Sequence, residues 1–126
     1  MEAFGRHLIL EMWDCDREIL NDEQTIEKIV RNAALAAKAT VMGIVCHRFN
    51  PSGVTCLAIL AESHLSVHTW PVEGYVAADI FTCGHTADPR KAAEYLKKAF
   101  KPKGSKIVLL ARGDPSLAKA AQHQTV

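Results

Sequence analysis

The segment Glu62-Ser63-His64-Leu65-Ser66-Val67-His68-Thr69-Trp70-Pro71 is the richest in reactive side chains. It holds hydroxyls, two imidazoles and a carboxylate, and a thiol follows in Asp79-Ile80-Phe81-Thr82-Cys83-Gly84. Serine is a weak nucleophile unless strain or a neighbouring base activates it. Histidine titrates near neutrality and suits proton transfer. A free thiol is mostly protonated at neutral pH and can donate. His64 and His68 would share one face of an extended segment, yet lie about 13 Å apart, too far to share a metal ion. No metal site is expected. Each residue also has a plainer reading: Ser63 as a turn residue, the histidines as structural groups, Cys83 as a small core hydrophobe.

These residues need a scaffold, and the hydrophobic pattern supplies one. Residues 6–13 read as a strand and 22–38 as a helix, with Ile26, Ile29, Val30, Ala33, Ala34 and Ala37 at helical spacing. Asn21 or Asp22 can cap that helix. Residues 41–49 and 54–61 read as a hairpin around the turn signal Asn50-Pro51-Ser52-Gly53. Short strands are expected at 65–69 and 75–82. Asp88 caps a second helix that opens with Pro89 and runs to about Phe100. Pro102-Lys103-Gly104 ends it, and 105–111 is the last strand. Residues 113–126 are expected to be a flexible tail, with a helical turn around Leu117 to Ala121.

The order β-α-β-β-β-β-α-β, with hairpin connections, predicts an α+β two-layer sandwich: an antiparallel sheet with two helices on one face. Residues 1–112 form one domain in this reading. Strands apolar on both faces, such as 54–61, predict a partner on the other sheet face, most simply a second copy.

Composition narrows the function classes. The chain has 126 residues, is 48% hydrophobic and carries a formal net charge of +1. No basic stripe calls for nucleic acid. No apolar run approaches the roughly 18 residues of a membrane span. The first sixteen residues, interrupted by Glu11 and Asp14, do not read as an export signal. Cys15, Cys46, Cys56 and Cys83 form no Cys-x-x-Cys pair. Reduced thiols in a cytoplasmic protein are therefore expected.

The chain resembles the small prokaryotic type of self-processing S-adenosylmethionine decarboxylase. The resemblance is carried by Gly5-Arg6-His7, Cys15-Asp16, Leu20-Asn21-Asp22, His47-Arg48-Phe49, Pro51 and Gly53-Val54. Its centre is Ala61-Glu62-Ser63-His64-Leu65-Ser66 through His68-Thr69-Trp70-Pro71, followed by Phe81-Thr82-Cys83-Gly84 and Asp88-Pro89. It runs from about residue 3 to residue 111. It implies that the Ser63 hydroxyl attacks the Glu62 carbonyl and turns the amide into an ester. Elimination and hydrolysis then give chains 1–62 and 63–126, the second blocked by a covalent pyruvoyl group made from Ser63. That ketone takes the substrate amine as a Schiff base and accepts the electrons released with carbon dioxide.

The resemblance also assigns roles. His68 is the proton acceptor in processing, and Thr55 stands where the family has a serine hydroxyl that steadies the ester intermediate. Cys83 is the proton donor in decarboxylation, and Phe49 matches an aromatic that stacks on adenine. After His-Thr-Trp-Pro the family carries a glutamate that grips the ribose hydroxyls. Here Val72 stands there, with Glu73 next. In an extended segment Glu73 would face the other way.

Two substrate expectations follow. One is S-adenosylmethionine, giving the aminopropyl donor for spermidine. The other is L-arginine or L-ornithine, giving agmatine or putrescine, in a pocket that has lost its ribose grip. A third reading, of another class, is an unprocessed non-catalytic homologue or partner subunit; Ser63, His68 and Cys83, all present, argue against it. The resemblance further implies an active site at the interface of a homodimer, or of a dimer of processed chain pairs.

Overall fold

The computed structural model describes residues 3–121. Six strands form one antiparallel sheet: β1 (Gly5–Trp13), β2 (Val41–Arg48), β3 (Val54–Leu60), β4 (Ser63–Trp70), β5 (Tyr75–Cys83) and β6 (Gly104–Arg112). Their order is β2-β3-β4-β5-β1-β6. β2 to β5 are a meander of successive hairpins. β1 pairs with β5, and β6 closes the far edge on β1.

Helices α1 (Glu23–Ala36) and α2 (Pro89–Phe100) cover one face. Asp22 is the cap of α1, accepting from the Thr25 amide, and Asp88 caps α2 by accepting from the Arg90 amide. Asn21, the other candidate cap, instead accepts from the Gly53 amide at 2.9 Å and ties the β2–β3 turn to the start of α1. The core follows strand alternation. Leu8, Leu10 and Met12 on β1, Val54, Cys56 and Ala58 on β3, Leu65 and Val67 on β4, and Val76 and Ile80 on β5 meet Ile26, Val30, Leu96 and Phe100 of the helices. The two-layer architecture read from the sequence is the one observed.

Three details differ from the sequence reading. β4 begins at Ser63 and not at residue 65, so the reactive serine is the first residue of a strand. Cys46 and Cys56 are joined by a disulfide, not held as reduced thiols. They face each other across β2 and β3 with Cα atoms 4.1 Å apart, the separation of a directly opposed pair. Part of the expected tail is a third helix, α3 (Pro115–Ala121), begun by Asp114, which accepts from the Ser116 amide. Residues 122–126 of that tail lie outside the described residues.

Helices α1 and α2 leave the second sheet face open. It presents Val45, Leu57, Ile59, Trp70, Trp13, Val108 and Leu110, each more than one-third exposed. His64, Ser66 and His68 on β4 and Asp79 and Cys83 on β5 belong to this open face by alternation, whereas Thr69 and Thr82 turn to the core.

Candidate active site

The β3–β4 connection sets the geometry at residues 62 and 63. The Glu62 carboxylate accepts from the Thr40 amide at 2.9 Å and from its hydroxyl at 3.4 Å, and the Ala61 amide donates to the Thr40 carbonyl. The turn is thereby pinned to the segment that leads into β2. Ser63 has φ +143°, a region that L residues rarely adopt. Such a conformation costs about 1–3 kcal/mol and concentrates at functional sites. The Glu62 carbonyl accepts a hydrogen bond from the Cys83 backbone N–H at 2.9 Å. That donor polarises the carbonyl and stands where negative charge would build up if a nucleophile added to its carbon.

Around Ser63 lies a network centred on Asp79. Its Oδ2 is 2.7 Å from His64 Nε2 and 2.7 Å from His7 Nε2. Its Oδ1 accepts from Ser66 Oγ. Burial opposes ionisation of Asp79, but the hydrogen bonds from Ser66, His7 and His64 together outweigh it and hold the carboxyl below its ordinary value. The far nitrogen of His7, Nδ1, lies 2.7 Å from Arg112 Nη1, and that of His64 lies 3.4 Å from Ser63 Oγ. The Phe81 ring stacks on His7 with centroids 5.0 Å apart. Gly5 makes room for it, because a Cβ there would sit 2.5 Å from the Phe81 ring. His7, His64 and Asp79 also present one ligand atom each within 4.8 Å of one another. The Arg112 guanidinium beside His7 adds a positive charge that weighs against a cation there.

His68 and Thr55 form a second cluster. They are cross-strand partners, and Thr55 Oγ1 lies 3.1 Å from His68 Nδ1. The other nitrogen of His68 is 3.2 Å from Ser66 Oγ, which links the two clusters through Asp79. Phe49, Thr55, His68 and Trp70 line a cleft of about 250 Å³. Five residue-to-residue steps along extended β4 lead from Ser63 to His68, about 16 Å at ~3.3 Å per step. One chain therefore brings together Glu62, Ser63 and Cys83, and separately Phe49, Thr55 and His68, but does not bring the two sets into contact.

Cys83 is exposed at the end of β5. Val72 and Glu73 lie in the turn between β4 and β5 and are exposed. Arg17 grips both of their carbonyls, Val72 O from Nε at 3.5 Å and Glu73 O from Nη2 at 3.2 Å. Strand alternation does not govern Glu73, because the segment is a turn and not the extended run the sequence suggested.

The sequence reading gave no role to His7, Asp79 or Arg112. The signal was available for the first two: they fall on alternating positions of adjacent strands and face the side that carries His64.

The family model for S-adenosylmethionine decarboxylase matches residues 6–113. The chain belongs to the S-adenosylmethionine decarboxylase family. It is 48% identical over 113 residues to the S-adenosylmethionine decarboxylase proenzyme of Thermotoga maritima, covering 90% of this chain and 87% of that one. It is 47% identical over 120 residues to the proenzyme of the same name from Prochlorococcus marinus, covering 94% and 96%. The crystal structure of the adenosylmethionine decarboxylase from Aquifex aeolicus superposes with a TM-score of 0.85 at 27% identity, covering 90% of this chain and 94% of that one. The fold also matches the Trypanosoma brucei enzyme with a TM-score of 0.60 at 14% identity, where it spans 96% of this chain and 52% of the other.

At residue 63 the structure combines a positive φ with a hydrogen-bonded upstream carbonyl. Thr82, the register partner of Ser63, is fully buried, and among the described residues its Oγ1 is the one buried side-chain nitrogen or oxygen without a hydrogen-bond partner.

Proposed function

We propose that the chain is a self-processing pyruvoyl-dependent S-adenosylmethionine decarboxylase. It cuts itself between Glu62 and Ser63 and converts S-adenosylmethionine to carbon dioxide and decarboxylated S-adenosylmethionine, the aminopropyl donor for spermidine. The observation that carries this reading is Ser63 at φ +143° with the Glu62 carbonyl on the Cys83 N–H. When formed, a pyruvoyl group at residue 63 supplies the electron sink for loss of the carboxylate.

The protein's own residues have the following roles in this reading. Glu62, anchored by Thr40, fixes the carbonyl that is attacked. His68 takes the α-proton of residue 63 during processing, and the Thr55 hydroxyl beside it steadies the ester. The Cys83 thiol delivers a proton after carbon dioxide leaves. Phe49 supplies an aromatic wall for the adenine in the cleft that also holds His68.

The 16 Å between Ser63 and His68 requires a second copy. In our reading two sheets stack on their open faces, with a two-fold axis crossing β4 between Leu65 and Ser66. That operation lays each Ser63 opposite His68 of the partner subunit. It also covers Val45, Leu57, Ile59 and Trp70, which one chain leaves exposed. The active unit is thus a homodimer of processed chain pairs with two shared sites.

Val72 removes the carboxylate that grips ribose in the family, so ribose binding is weakened and the substrate is unchanged. Both relatives compared by sequence carry the S-adenosylmethionine name, and none of these comparisons points to arginine or ornithine. The test is carbon dioxide release from carboxyl-labelled S-adenosylmethionine, arginine and ornithine side by side. Release from S-adenosylmethionine alone supports the reading. Release from arginine or ornithine without it overturns the substrate assignment.

A further inference from the structure

His64 touches the reacting serine and has no role in the scheme above. Its protonation pattern follows from its partners. An ionised Asp79 can only accept hydrogen bonds, so Ser66 Oγ, His7 Nε2 and His64 Nε2 must each donate to it. With its proton on Nε2, a neutral His64 keeps a lone pair on Nδ1. That lone pair faces Ser63 Oγ at 3.4 Å, a long contact of the kind that tightens as reaction begins. The hydroxyl is therefore the donor. Ser63, His64 and Asp79 stand in the order nucleophile, base and orienting carboxylate.

We propose that His64 is the base that takes the Ser63 hydroxyl proton in the acyl shift, and that Asp79 is the positioning residue that fixes its ring and tautomer. The inference rests on the self-cleavage reading and divides its chemistry between two histidines. The Oγ lone pair attacks the Glu62 carbonyl carbon while the hydroxyl proton passes to His64 Nδ1. Charge moves onto the carbonyl oxygen, which faces the Cys83 N–H. Collapse breaks the C–N bond, and the same proton passes from His64 to the departing nitrogen of residue 63. An amide has become an ester, no proton is gained or lost, and His64 is neutral again. His68 then acts on the α-proton, a different proton at a later step.

Hydroxylamine separates the two steps, because it cleaves the ester and leaves the amide intact. In a His68→Ala chain the ester cannot go on to elimination, so trapping reports its formation alone. Adding His64→Ala or the bulkier His64→Gln should slow trapping by about 100-fold or more. Free imidazole should restore part of the rate to the His64→Ala chain and none to His64→Gln, which fills the space. Asp79→Asn keeps the shape but not the obligate acceptor. It should slow the same step in a chain that still folds, and Asp79→Glu should recover part of the rate. Should His64→Ala fail to fold, His64→Gln carries the test. Unchanged trapping in a folded His64 variant overturns the inference, as does accumulation of trappable ester in a chain with His64 alone replaced. Failure of the self-cleavage reading looks different: the unsubstituted chain stays whole, and His68→Ala with His64 intact yields no trapped product.

Discussion

The proposed sharing of the site between two chains has a consequence that can be counted. Ser63 and His68 sit about 16 Å apart along β4, whereas a general base must come within about 3 Å of the proton it takes. A His68→Ala chain keeps its serine but lacks the base, and a Ser63→Ala chain keeps the base but cannot be cut. Made together and labelled by different mass tags, they pair at random, and about half of the dimers are mixed. Each mixed dimer has one dead site, with both groups missing, and one complete site, with Ser63 from one chain and His68 from the other. About half of the His68→Ala chains should therefore be cleaved, and none of the Ser63→Ala chains. Each variant made alone should stay whole. Intact-mass spectrometry of the co-expressed pair reads the result directly. If mixed dimers form and the His68→Ala chain still stays whole, His68 acts within its own chain and the stacking of open faces is wrong.

Three further outcomes follow from the structure. Thr69 Oγ1 donates to the Leu20 carbonyl at 2.6 Å and accepts from the Val54 amide at 2.9 Å, both buried. Thr69→Val leaves these groups unpaired and should cost about 2–4 kcal/mol in denaturant unfolding; a loss below about 0.5 kcal/mol would refute the accounting. Asp79, whose carboxyl is held below its ordinary value, adds stability above the unfolded value near ~3.9, lost as pH falls through the lower folded value. In a Ser63→Ala background, the gap in thermal midpoint between Asp79 and Asp79→Asn should be widest near neutrality and close in acid; a gap independent of pH contradicts this. Burial, helped by Asp14, pushes the Cys15 thiol up to about 11, while Cys83 is exposed and Cys46 is bonded to Cys56. A thiol reagent should thus modify Cys83 alone in the native, unreduced protein, and rapid modification of Cys15 would contradict the burial.

Much of the scaffold was legible because it rests on local patterns. The alternation of β1, β3 and β5, the helical spacing of Ile26, Val30 and Ala33, and the caps Asp22 and Asp88 need no knowledge of distant residues. Glu62, Ser63 and Cys83, which a long motif singled out, lie together, with the Cys83 N–H on the Glu62 carbonyl. What escaped depends on pairing. The Cys46–Cys56 disulfide follows from the register of the β2–β3 hairpin, in which the two cysteines stand equally far from Pro51. The Asp79 hub requires β1, β4 and β5 side by side, and no local window contains all three. The distance between Ser63 and His68 was the least visible. A motif places them five residues apart, and only the extended backbone of β4 turns that closeness in sequence into separation in space.

Self-cleavage between Glu62 and Ser63 is tested most directly by the intact mass of the purified protein after incubation without any added cofactor. Two chains are expected, residues 1–62 ending in the Glu62 carboxylate and a second from residue 63 onward with a blocked amino terminus. A single chain of 13.8 kDa that persists would contradict it.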